Sequence, residues 1–245
     1  MHSLHADKLR DNAHDDAPKG FAAQLAYKFN RALNYASFAW SQRVVGFNVP
    51  DRPDFDDATI PLFKVRVAAA NRYLEFGSGA SSVLAAQSGA VFTSVDTDNH
   101  YLNAVQTKIA ALGLADPAKQ TFLHADIGLT EYWGAPLFKR ETPQRLARWR
   151  DYPEAPWRVM DKKPDFVLVD GRFRVACALT AIKHLGEGDW EVWLDDYRGR
   201  DHYNIVERFA VLERMSGVTA IFRARPNIDR AALDAAIATA CRDWR

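Results

Sequence analysis

The chain has 245 residues, 48% hydrophobic and 26% charged, which is enough to bury the core of one large α/β domain with an appendage. A net charge of +1 gives no global electrostatic case for binding nucleic acid. Two cysteines, Cys177 and Cys241, cannot build a disulfide framework and point to a reducing compartment, and no apolar run is long enough to span a membrane.

Residues 1–20 are polar, carry His2, His5 and His14, and lack the apolar middle of a signal peptide. A flexible tail and a cytoplasmic location are the expectation. His2 and His5 as metal ligands are the alternative reading. Residues 21–56 read as an N-terminal helical extension, with Leu25, Phe29 and Leu33 on one face at i, i+4 spacing. Such a face packs on the domain, joins a second copy into a homo-oligomer, or lies on a membrane surface or partner. Pro50 and Pro53 then interrupt the helix. From residue 57 to residue 245 strands alternate with helices, beginning with a helix over Pro61 to Asn71.

The stretch Tyr73-Leu-Glu-Phe-Gly-Ser-Gly-Ala-Ser-Ser82 organises the rest of the chain. It reads as a strand, a glycine turn and a helix start, with Gly77 and Gly79 freeing the backbone to approach a ligand and Ser81 and Ser82 at favoured capping positions. Ala90 to Asp96 is a second strand. Asp96 ends it about twenty residues beyond the turn, where an acid takes up ribose hydroxyls in nucleotide-binding α/β folds. Asp98 is expected to cap the helix through Leu112.

Three further strands end in acids: Thr121 to Asp126, Asp165 to Asp170, and Asp189 to Asp196. Glu141 to Lys163 is a polar segment with interleaved arginines and aromatics, suited to a lid or substrate loop or to a solvated helix. Asp201 to Met215 reads as an amphipathic helix with Ile205, Phe209 and Leu212 on one face. His202 and Tyr203 at its start are candidate bases or surface contacts. Gly217 to Phe222 reads as a sixth strand and Pro226 to Trp244 as a closing helix. The fold class is therefore a doubly wound, mostly parallel Rossmann-like sheet with helices on both faces. Cys177, in an apolar helical run, is expected in the core.

The acid-x-Gly-x-Gly string from Glu75 to Gly79, joined to Asp96, resembles the first motif of Rossmann-like S-adenosylmethionine-dependent methyltransferases. The string Val-Asp-Gly-Arg-Phe-Arg ending at Arg174 resembles bacterial methyltransferase-like proteins. The resemblance covers about Tyr73 to Phe222. It implies cofactor binding by Glu75, Gly77, Gly79, Ser81 and Asp96, with Asp126 on the adenine amino group and Ile127 beside the ring; the alternative for Asp126 is a loop acid capping its own backbone. Trp133 is either a cover for the adenine or ordinary packing. Asp170 is implied as the residue that orients or deprotonates the acceptor, helped by Arg172, Asp195 and Asp196. The family's antiparallel seventh strand has no good candidate.

Asp170, Asp195 and Asp196 also resemble the acids that hold magnesium in cation-dependent O-methyltransferases. Asp196 departs from the expected asparagine, and Arg172, Arg174, Arg198 and Arg200 crowd the same edge. An arginine–carboxylate network is favoured over a metal. Arg172 and Arg174 either pair with these acids or grip an anionic substrate. The function implied is methyl transfer to oxygen or nitrogen of a small or anionic acceptor. A non-catalytic partner-binding scaffold is the alternative. A nicotinamide-dependent oxidoreductase is disfavoured, because Ser82 stands where a dinucleotide fingerprint has glycine and Glu75 where it has an apolar residue.

Overall fold

In a computed structural model, residues 20–245 are described, and the chain divides between Val44 and Val45 into two compact units. His2, His5 and His14 lie outside the described residues. The first unit contributes helix α1 (Phe21–Trp40), which has no acid in its first turn and leaves Phe21, Leu25, Phe29 and Leu33 exposed.

In the second unit, helix α2 (Thr59–Ala69) leads into strand β1 (Tyr73–Phe76), helix α3 (Ala80–Gln87) and strand β2 (Phe92–Asp96). Helix α4 (Asn99–Ala111), strand β3 (Gln120–His124), helix α5 (Pro143–Val159) and strand β4 (Phe166–Val169) follow. Helix α6 (Arg174–Leu185), strand β5 (Glu191–Leu194), strand β6 (Ala210–Ser216), strand β7 (Thr219–Ala224) and helix α7 (Arg230–Ala240) complete it. The sheet runs β3-β2-β1-β4-β5-β7-β6, with β1 to β5 parallel and β7 antiparallel to both β5 and β6.

Strand alternation sorts the core into two layers. Leu74, Phe76, Val167, Val169, Val192 and Leu194 face the layer made with α5, α6 and α7. Tyr73, Phe92, Phe166, Leu168 and Trp193 face the layer made with α2, α3 and α4. Cys177 is fully buried in the first layer.

Two expectations are corrected at the sheet edge. The segment read as one helix over Asp201 to Met215 is a short 3₁₀ helix over Asp201–Arg208 followed by β6. The expected sixth strand is the seventh, and it supplies the antiparallel strand that had no candidate. β6 is an edge strand with Glu213 and Arg214 outward and an irregularity between Leu212 and Arg214. Charges and a bulge of that kind protect an edge from further pairing, and they also erase the alternation by which a strand is read.

Candidate active site

Parallel strands deliver their carboxyl ends to one edge, and here β1 and β4 are neighbours whose connections leave in opposite directions. In open α/β sheets that switch point is where ligands bind. Gly77 follows β1 and Gly171 follows β4. Gly77 has φ +100°, and a Cβ on it would lie 2.6 Å from the Gly171 nitrogen, so the two turns touch backbone to backbone. Gly79 differs: its φ of 174° is ordinary extended backbone. A Cβ there would meet nothing nearer than the Tyr101 hydroxyl at 3.8 Å, so protein packing does not demand glycine at this position.

Glu75 is fully buried beneath the turn. Its carboxylate accepts from the Tyr73 and Ser81 hydroxyls, each at 2.8 Å, and from Ser82. Burial pushes its pKa up, against the pull of these hydroxyls. Ser81 and Ser82 are thus inside the first turn of α3, with Gly79 as the N-cap, and both are spent on Glu75. The acid and the two serines brace the turn from below.

Asp96 ends β2 and is 8% exposed. It accepts from the backbone N–H of Ser78 and of Asp98, each at 2.8 Å. Burial outweighs those bonds and raises its pKa to about 7. Asp98 caps α4 as expected, accepting from His100 and Tyr101 N–H groups. Thr97 donates to the Gly134 carbonyl at 2.8 Å, which ties the loop carrying Trp133 over this strand end. Trp133 is 61% exposed and held at φ +63°, a left-handed conformation that strains a bulky residue. Asp126 lies just beyond β3 and accepts from the Gly128 N–H at 2.8 Å, with Arg148 at 3.5 Å. Ile127 beside it is buried.

The acids after β4 and β5 are organised by Arg174, which is 4% exposed. Its Nη2 donates to Asp170 Oδ1 at 2.8 Å and its Nη1 to Asp196 Oδ2 at 2.9 Å. Further bonds reach the carbonyls of Gly171, Asp170 and Asp195. Arg200 donates to the same Asp196 oxygen at 2.9 Å, and Asp195 accepts from Thr219 at 2.5 Å. Arg174 therefore stands between the two carboxylates that a metal would have to share. Among the described residues no three acids, histidines or cysteines gather to hold an ion. The donor set does not fit magnesium, and the arrangement is an arginine–carboxylate network.

Asp170 keeps 29% of its side chain exposed, and only Oδ1 is engaged by Arg174. Burial, with Asp195 and Asp196 nearby, pushes its pKa up against the pull of Arg174. His202 and Tyr203 hold different positions. Tyr203 is fully buried and accepts from Arg200, whereas His202 lies outward, 4.0 Å from Asp243.

Helix α5 supplies what the linear reading missed. The segment from Glu141 is a helix whose Trp149 and Tyr152 are buried against Phe173, with ring centroids 5.7 and 5.9 Å apart. The Tyr152 hydroxyl would sit 2.6 Å from a Cβ on Gly171, so the tyrosine closes over the turn after β4. The only sequence signal for this contact is the i, i+3 spacing of the two aromatics among arginines.

No protein-family model and no curated protein matches the chain. Among solved structures it is similar to a methyltransferase-like protein from Silicibacter pomeroyi DSS-3, with 28% identity over 78% of this chain and 97% of the other and a TM-score of 0.66. A cofactor-bound protein from MTB gives 12% identity over 86% and 100% of the two chains with a TM-score of 0.46. A putative caffeoyl-CoA O-methyltransferase from Staphylococcus aureus gives 14% over 82% and 100% with a TM-score of 0.42, and neither of these last two carries an argument.

Proposed function

This chain has a Rossmann-like, S-adenosylmethionine-methyltransferase-like fold and is related to bacterial methyltransferase-like proteins, and from that premise we propose that it transfers a methyl group from S-adenosylmethionine to an oxygen or nitrogen of a small or anionic acceptor. One observation carries the reading: strands β1 and β4 meet at the switch point of the sheet with acids at the neighbouring strand ends, and the turn after β1 has a glycine at position 79 that the protein's own packing does not require.

The residues fit the cofactor. The Ser78–Gly79 backbone would take its amino-acid end, and the Asp96 carboxylate its ribose hydroxyls. Glu75 and Ser81 hold the turn in place, and Asp126 with Ile127 would meet the adenine. When bound, the sulfonium supplies an activated methyl group, so the chain's part is alignment and removal of one proton.

Asp170 would take that proton. Its second oxygen has no hydrogen-bond partner among the described residues, and burial beside Asp195 and Asp196 raises its pKa, which makes it a stronger proton acceptor once ionised than an ordinary carboxylate. Arg174, pinned by Asp195 and Asp196, fixes its orientation.

Calorimetric titration with S-adenosylmethionine tests the cofactor, and Asp170→Asn tests the base. The variant should bind cofactor like the wild type and lose about 10²–10⁴-fold in turnover. No binding to the wild-type protein would overturn the reading in favour of a partner-binding scaffold. A fully active Asp170→Asn would remove Asp170 from the mechanism.

A further inference from the structure

The arginines on either side of Phe173 are in opposite electrostatic states. Arg174 spends its donors on Gly171, Asp170, Asp195 and Asp196. Arg172 is half-buried, makes no ion pair among the described residues, and its buried Nε has no acceptor. Burial and the neighbouring Arg174 both oppose its charge and draw its pKa down to about 10. A buried cation in that condition is costly unless something outside the fold answers it.

Two independent features point the same way. The Tyr152 hydroxyl, in a side chain 1% exposed, packs on Gly171 and finds no acceptor for its proton among the described residues. Helix α6 begins two residues after Arg172 with no side-chain cap and no acid within its first turn, so its positive end faces the same corner. Arg174 and Arg200 already engage Asp170 Oδ1 and Asp196 Oδ2, and Arg172 forms no ion pair with the remaining Asp170 oxygen among the described residues. The corner after β4 therefore presents the Arg172 Nε and the Tyr152 hydroxyl without acceptors among the described residues.

We infer that Arg172, with Tyr152 beside it, holds an oxyanion, a carboxylate or phosphate group of the ligand that lies at the end of β4. A guanidinium meets such a group through two parallel N–H···O bonds, and a phenol adds a third donor. The inference rests on the methyl-transfer reading for what that ligand is. It makes the acceptor a small acid, or else assigns the corner to the carboxylate of the cofactor's amino-acid end.

The test is thermal unfolding of the ligand-free protein in phosphate or acetate against chloride at equal ionic strength. At roughly fivefold excess over the dissociation constant, oxyanions should raise the wild-type melting temperature by about 2–4 °C. Arg172→Gln should lose that rise, and Arg172→Lys should keep part of it. In chloride, Arg172→Gln should melt at or above the wild-type temperature, because it removes an unanswered buried charge; a merely structural arginine would lower it. A wild-type protein indifferent to oxyanions, or a glutamine variant stabilised as much as the wild type, would overturn the inference.

Titration with S-adenosylhomocysteine separates the sources. Tenfold or greater weakening in Arg172→Gln identifies the cofactor's carboxylate, and unchanged affinity identifies the acceptor's. If S-adenosylhomocysteine and S-adenosylmethionine both fail to bind the wild type while phosphate stabilises it through Arg172, the methyl-transfer reading falls and the oxyanion site stands.

Discussion

Gly77 and Gly79 stand two residues apart and answer to different constraints. At Gly77 both the left-handed backbone and the contact with Gly171 exclude a side chain. Gly77→Ala should cost about 1–3 kcal/mol for the backbone alone and more for the clash, read as a lowered unfolding midpoint. Gly79→Ala should change stability by less than about 1 kcal/mol, the range of an N-cap exchange, yet weaken cofactor binding by calorimetry. A Gly79→Ala protein that binds as tightly as the wild type would remove the ligand explanation for that glycine. Asp96 adds a pH signature. Its folded pKa is raised to about 7, so the carboxylate proposed to accept two ribose hydroxyls forms only as pH rises through that value. Cofactor affinity should therefore rise between about pH 6 and 8 and level off above. Asp96→Asn should bind weakly at every pH. An unchanged slope in that variant would place the titration elsewhere.

At the scale of elements, the hairpin of β6 and β7 is pinned to the start of α2. Thr59 donates to the Ser216 carbonyl at 2.9 Å and meets its hydroxyl at 2.8 Å, and Asp56 accepts from the Val218 N–H at 2.6 Å. Thr59→Val should leave buried polar atoms of Ser216 unanswered and cost about 1–3 kcal/mol by chemical denaturation. A neutral substitution would mean that water replaces the hydroxyl. This contact also shows where linear reading fails. The buried parallel strands β1, β2, β4 and β5 declare themselves as compact apolar runs ending in acids, because they are covered on both faces. β6 has one partner and carries charges outward, so its pattern matches a helix face as well as a strand. α5 was ambiguous for the opposite reason: its many arginines hide two buried aromatics, and burial of Trp149 and Tyr152 depends on Phe173, far along the chain.

For the whole molecule, the residues assigned to the site all fall within Val45–Arg245, and the first unit contributes none of them. Removing residues 1–44 should leave the cofactor titration unchanged, and a loss of binding would show that the N-terminal unit completes the site. If α1 joins copies of the chain, the same truncation should lower the mass seen by light scattering, since Phe21, Leu25, Phe29 and Leu33 would be gone. The acids at the strand ends were legible because each closes a strand, whereas their division of labour was not. That Arg174 engages Asp170 and Asp196 while Arg172 pairs with no carboxylate among the described residues depends on which guanidinium lies between β4 and β5. Alternate residues of one turn give no hint of it. The backbone contact of Gly77 with Gly171 has a thermodynamic reading as well. It leaves no slack between the turn assigned to the cofactor and the turn that precedes Arg172. Should filling one side alter the affinity of the other, the reverse effect must have the same factor, so the two turns share a single coupling free energy.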